Sequence, residues 1–134
     1  MNAKQTALAR QCLDGAEQDA MTFPQIVGAL TLGGFESYAV DYRRATATYY
    51  LPSGDSLELP AERSDPAVGE TFDAAALQAA IREAQTLAPG YTYRGFCAKA
   101  KAAGCAGYMV SFTGRRAVYF GRTAETHVEP FPPA

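Results

Sequence analysis

Apolar positions along this chain follow two rhythms, and each rhythm occurs twice. Leu8, Cys12, Leu13 and Ala16 recur at helical spacing and predict an amphipathic helix. Phe23, Ile26, Val27 and Leu30 predict a second one. Thr22 precedes it as N-cap, with Gln25 at the capping-box position. Pro24 fits only a first helical turn, and Gly33-Gly34 supplies the stop. The spacing then changes to two. "ESYAVDY" sets Tyr38, Val40 and Tyr42 on one strand face, "ATATYYL" returns, and "SGD" turns into a short "LEL".

The same order follows the polar stretch "AERSDPAVGE". Asp73 is placed as an N-cap, with Phe72 and Leu77 spaced as a hydrophobic staple. Ala76, Leu77, Ala80, Ile81 and Ala84 form the stripe, and Pro89-Gly90 is expected to end the helix. Thr92 caps the next helix, whose face is Tyr93, Phe96, Cys97 and Ala100, and Gly104 ends it. "GYMVSFTGRRAVYFGR", residues 107–122, then places two apolar runs about a Gly-Arg-Arg tip, the pattern of a hairpin.

Shifting the chain by 70 residues lays 22–60 over 92–130 without a gap. Identical pairs are Thr22/Thr92, Gly34/Gly104, Tyr38/Tyr108, Val40/Val110, Ala47/Ala117, Tyr49/Tyr119 and Pro60/Pro130. They fall at caps, turns and apolar faces, where a fold needs them. The expectation is an α+β fold of two repeats, each helix–helix–strand–strand–short strand. Connections too short for parallel crossovers make the sheet antiparallel, and the helices cover one of its faces. Residues 1–134 form one domain, with repeats at about 1–60 and 72–130 and a polar linker at 61–71.

Composition narrows the class. A chain of 134 residues can bury a core of its own. Apolar content of 48% and charged content of 19% read as globular. No apolar run is long enough to cross a membrane, and no membrane association is expected. The N-terminus is too polar for a signal peptide, and three cysteines without framework spacing suit a reducing compartment. A cytoplasmic location is the expectation. Net charge is −2, yet residues 1–89 hold 6 basic and 12 acidic side chains, and residues 90–134 hold 6 and 2. Such a split marks either a basic binding face or two halves that attract.

"TYRGFCAKAKAAGCAGYMVSFTGRRAVYFGRTAETHVEPF" resembles the C-terminal half of the YbcV/YdfO-type family of small bacterial, often prophage-borne proteins, and "TFPQIVGALTLGGFESYAVDYRRATATYYLPSG" resembles the YbcV N-terminal half. Members are of unknown function and are sometimes labelled phage envelope proteins. The resemblance implies a bacterial α+β protein in a mobile-element setting, and carries over no catalytic residue.

Candidate chemistry is sparse. Cys97 pairs with Val27 in the repeat and Cys105 with Phe35, so both are expected in the core as small hydrophobes. A Cys97 nucleophile with His127 as base, or zinc on Cys97, Cys105 and His127, lacks supporting spacing. No metal and no cofactor are expected. His127 is the sole histidine, and on a strand it would share a face with Glu125 and Glu129. Arg115, Arg116 and Arg122, with Tyr119 as a stacking surface, form a candidate anion or nucleic-acid contact; Arg43-Arg44 sits at the other hairpin. Walker, G-x-G-x-x-G, H-E-x-x-H and G-x-S-x-G motifs are all missing. The reading is a non-enzymatic binding or interaction module whose partner is another protein or a second copy of the chain. A nucleic-acid-binding regulator using the basic C-terminal hairpin is the alternative, disfavoured by overall acidity. A small enzyme built on Glu125, His127 and Glu129 is the third reading.

Overall fold

The computed structural model describes residues 1–132. Its elements run α1 (Ala3–Glu17), α2 (Phe23–Leu32), β1 (Ser37–Asp41), β2 (Thr46–Tyr50), β3 (Ser56–Pro60), α3 (Ala74–Thr86), α4 (Tyr93–Ala102), β4 (Cys105–Ser111), β5 (Arg116–Gly121) and β6 (Thr126–Pro130). The six strands form one antiparallel sheet in the order β3-β2-β1-β4-β5-β6. The fold class is therefore α+β, with each hairpin pairing its own strands and β1 joining β4 at the centre.

The caps have local causes. Thr22 accepts from the Gln25 amide while the Gln25 side chain accepts from the Thr22 amide, closing a capping box. Asp73 and Thr92 accept from Ala76 and Gly95. Asn2 and Gln5 close a capping box at α1, a start the hydrophobic stripe does not announce. α3 stops earlier than Pro89-Gly90. Leu87 adopts the left-handed C-cap conformation (φ 48°), and Ala88, directly ahead of Pro89, is disfavoured in a helix.

The buried face of the sheet can be read across its strands. One row runs Leu57, Tyr49, Tyr38, Val110, Ala117, Glu129. Its neighbour, taken in the opposite direction, runs His127, Tyr119, Tyr108, Val40, Ala47, Leu59. The two rows carry the same residue types except at their ends. Helices cover this side, and Leu30, Leu77, Cys12 and Ala100 are sealed beneath them. The other side of the sheet carries no helix on its central row, and there Met109 and Val128 are exposed.

Each second helix begins beside the far edge of the sheet. Phe23 at the start of α2 packs edge-on against Phe131, just beyond β6 (5.7 Å). Arg94 at the start of α4 pairs with Glu62, just beyond β3 (3.1 Å). Arg94–Glu62 and Lys99–Glu83 join the acidic and basic parts of the chain. Both pairs are exposed, so each is worth at most about 1 kcal/mol.

The polar linker is held down rather than loose. Lys101 is buried, and its ammonium donates to the Ser64 carbonyl (2.5 Å) and hydroxyl (3.1 Å) while lying over the Tyr42 ring. The Gly69 amide donates to the Lys101 carbonyl, and the Asp73 amide to the Ala103 carbonyl. The segment is thus pinned along the end of α4.

Candidate functional site

Between the helices and the buried sheet face lies a cleft of about 240 Å³. Its walls include six tyrosines, at positions 38, 49, 91, 93, 108 and 119, and three phenylalanines, at 23, 96 and 131. Strand alternation explains the floor, since Tyr38, Tyr49, Tyr108 and Tyr119 all point to the same side of the sheet. The rings touch in series. Tyr38 stacks on Tyr49 (5.6 Å) and meets Tyr108 edge-on (6.3 Å), and Tyr108 meets Tyr119 (5.2 Å). Tyr93 on α4 reaches down to share a hydrogen bond with Tyr108, Oη to Oη (3.0 Å).

Burial keeps these phenols neutral. Desolvation pushes Tyr38, Tyr93 and Tyr108 well above the usual phenol range. It raises Tyr119 as well, with Cys105 and Glu129 adding to the shift. Tyr91, nearer the rim, is pushed up to about 12. The tyrosines therefore offer hydroxyl dipoles and ring faces, not phenolates.

One end of the cleft is polar. His127 and Glu129 project from β6 toward the helices, where β3 carries Leu57 and Leu59 at the matching row ends. Glu129 Oε2 lies 3.1 Å from His127 Nε2, and Glu129 Oε1 accepts from the Gln85 amide at 3.2 Å. Tyr119 lies beside the His127 ring (6.3 Å). Glu129 and Gln85 line the cleft, as does Asp19, whose Oδ1 accepts from the Tyr93 amide and so caps α4 (2.8 Å).

The expected Glu125–His127–Glu129 face is only partly formed. Glu125 lies in the turn before β6, where the Gly121 amide donates to its carbonyl. Its exposed carboxylate accepts from the Thr123 hydroxyl, which holds it below the usual carboxylate range. The pair His127–Glu129 remains, turned inward rather than solvated on an edge. Alternation alone does not say which side of an edge strand meets the helices; Leu57 opposite Tyr49 was the signal.

The basic hairpin is not gathered into one surface with Tyr119, which is buried on the floor of the cleft and offers no stacking platform to a nucleic acid. Arg115 occupies the hairpin tip with φ 52°, its guanidinium 5.6 Å above the Phe131 ring. Arg116 starts β5, with Nε donating to the Gly114 carbonyl. Arg122 is at the other end of that strand, roughly 20 Å away at strand rise.

All three cysteines are buried and unpaired in disulfides. Burial raises Cys97, and it takes Cys105 to about 11. Neither is a poised thiolate. Among the described residues, no group of three His, Cys, Asp or Glu side chains is placed to hold a metal ion. No helix is long and apolar enough to cross a membrane among the described residues. A second cavity of about 270 Å³ lies beneath the linker, and into it face Lys101 and Tyr42, whose hydroxyl is buried without a hydrogen-bond partner among the described residues.

No protein-family model matches the chain, and no curated protein matches it significantly.

Proposed function

We propose that the chain is a small non-enzymatic binding module and that its ligand is a small molecule with an apolar body seated in the tyrosine-lined cleft. The observation that carries this reading is a concave, aromatic space with polar groups at one end, the usual form of a small-molecule site. Phenols held neutral and thiols held protonated supply no nucleophile, which favours binding over chemistry. Kinship with the YbcV/YdfO-type proteins, with a mobile-element setting, belongs to the same proposal and rests on the two stretches quoted above.

The proposal includes an internal duplication. It accounts for the two inverted rows of the sheet and for the backbone. Left-handed residues recur 70 apart at Gly34 and Gly104, at Ala45 and Arg115, and at Gly54 and Ala124. The cleft then lies where the two units meet.

A neutral apolar fluorophore, N-phenylnaphthylamine, tests the reading. Saturable enhancement with one site per chain is expected. The filling variants Ala84→Trp and Met21→Trp, both at half-buried cleft positions, should each weaken it at least roughly tenfold while unfolding cooperatively. Absence of saturable binding, or binding untouched in both variants, would overturn the proposal.

A further inference from the structure

The charge of the cleft narrows its ligand. Among the described residues, Asp19 and Glu129 are the two carboxyl side chains that line the cleft, and no lysine or arginine does. Arg115 lies at the rim, on the outer phenylalanine, Phe131. Glu129 is largely buried, with 20% of its side chain exposed, and its two neighbours are an amide and an imidazole. A carboxylate withdrawn from water needs compensation; Gln85 supplies a hydrogen bond without charge, and His127 stands within ion-pair distance of the other carboxylate oxygen, at 3.1 Å. Aromatic ring faces carry negative potential and attract cations. The ring faces and the two lining carboxyl groups thus share one sign, with His127 outside the lining, beside Glu129.

Resting on the cleft reading above, we infer that the ligand is an organic cation: an aromatic or aliphatic body carrying an ammonium or similar group, with its charge toward Glu129. The apolar body would lie over the tyrosine floor, and the charged head would meet Glu129, with Asp19 the second carboxylate of the lining. The β3 side of the sheet cannot do this, since Leu57 and Leu59 stand at the equivalent row ends.

The test uses molecules of one shape and three charges: benzyltrimethylammonium, the neutral isostere neopentylbenzene, and phenylmethanesulfonate. Each competes with N-phenylnaphthylamine on the full chain. The cation should bind roughly tenfold tighter than the neutral compound, and the anion weakest. Glu129→Gln should bring cation and neutral compound within about twofold of each other, chiefly by weakening the cation. Asp19→Asn, which keeps an acceptor for the Tyr93 amide, should reduce the preference in part. A neutral compound that binds as tightly as the cation overturns the inference and leaves the cleft standing. So does a preference that survives both substitutions. If the fluorophore and all three compounds fail to bind, the cleft itself is refuted, and the cation with it.

Discussion

Ala39 lies opposite Met109 in the β1–β4 pair, and the two positions are 70 apart. On either side of them the pairing inverts: Tyr38 faces Val110, and Val40 faces Tyr108. A 70-residue relation along the sequence thus becomes a rotation about one point in the sheet. That point lies on the open face, while the tyrosines flanking it turn into the cleft.

The same relation makes two glycines comparable. Gly34 and Gly104 both end helices with positive φ, 94° and 86°. A side chain at Gly34 would meet only the tip of Gln5 (3.3 Å), whereas at Gly104 it would run into the Thr71 carbonyl at 2.1 Å. Gly34→Ala should cost about 1–2 kcal/mol, the price of a left-handed alanine. Gly104→Ala should cost more than about 3 kcal/mol, because the linker backbone must move. Urea denaturation of the pair decides it, and equal costs would mean the linker is not seated against α4.

Alkaline pH should unfold the protein through its tyrosines. Their folded values are raised and their unfolded values sit near about 10. The folded state therefore holds protons that the unfolded state has released. Stability is complete below about pH 10 and falls as pH rises above it. Phenolate absorbance should appear together with loss of helix on titration. Early ionisation of the buried rings in a still-folded protein would contradict the cluster.

Cys12, Cys97 and Cys105 should resist thiol reagents until the chain unfolds, since all three are buried with thiols raised above their ordinary range. Cys97→Ala should destabilise by about 1–3 kcal/mol through the space it leaves and should not alter ligand affinity. Rapid labelling of the native protein at any of the three would point to an open site instead.

Much of the fold was legible locally. Thr22, Asp73 and Thr92 announce their helices by side chains that reach only three residues, and the hairpins by alternation and turn chemistry. Strand order was not legible, because pairing β1 with β4 is a contact between segments about 70 residues apart that no local preference encodes. Left-handed Ala45 and Ala124 were hidden as well, since neither residue type advertises positive φ. At the candidate site, His127 and Glu129 were visible as residues. Their inward direction depends on the β5–β6 register, and the cleft depends on where the helices cross the sheet. Tyr119 was misread as a stacking surface for that reason.

The unequal row ends have a consequence for how a guest could sit. A pocket on a perfect two-fold axis presents the same surroundings to a molecule and to that molecule turned end for end. Leu57 and Leu59 at one border, against His127 and Glu129 at the other, remove that equivalence. On the duplication reading, joining two copies in one chain is what allows this, because each border can then change without the other. The cleft lining takes Glu129 from the β6 border and neither leucine from the β3 border, so its two ends differ and an elongated guest would have one preferred heading rather than two.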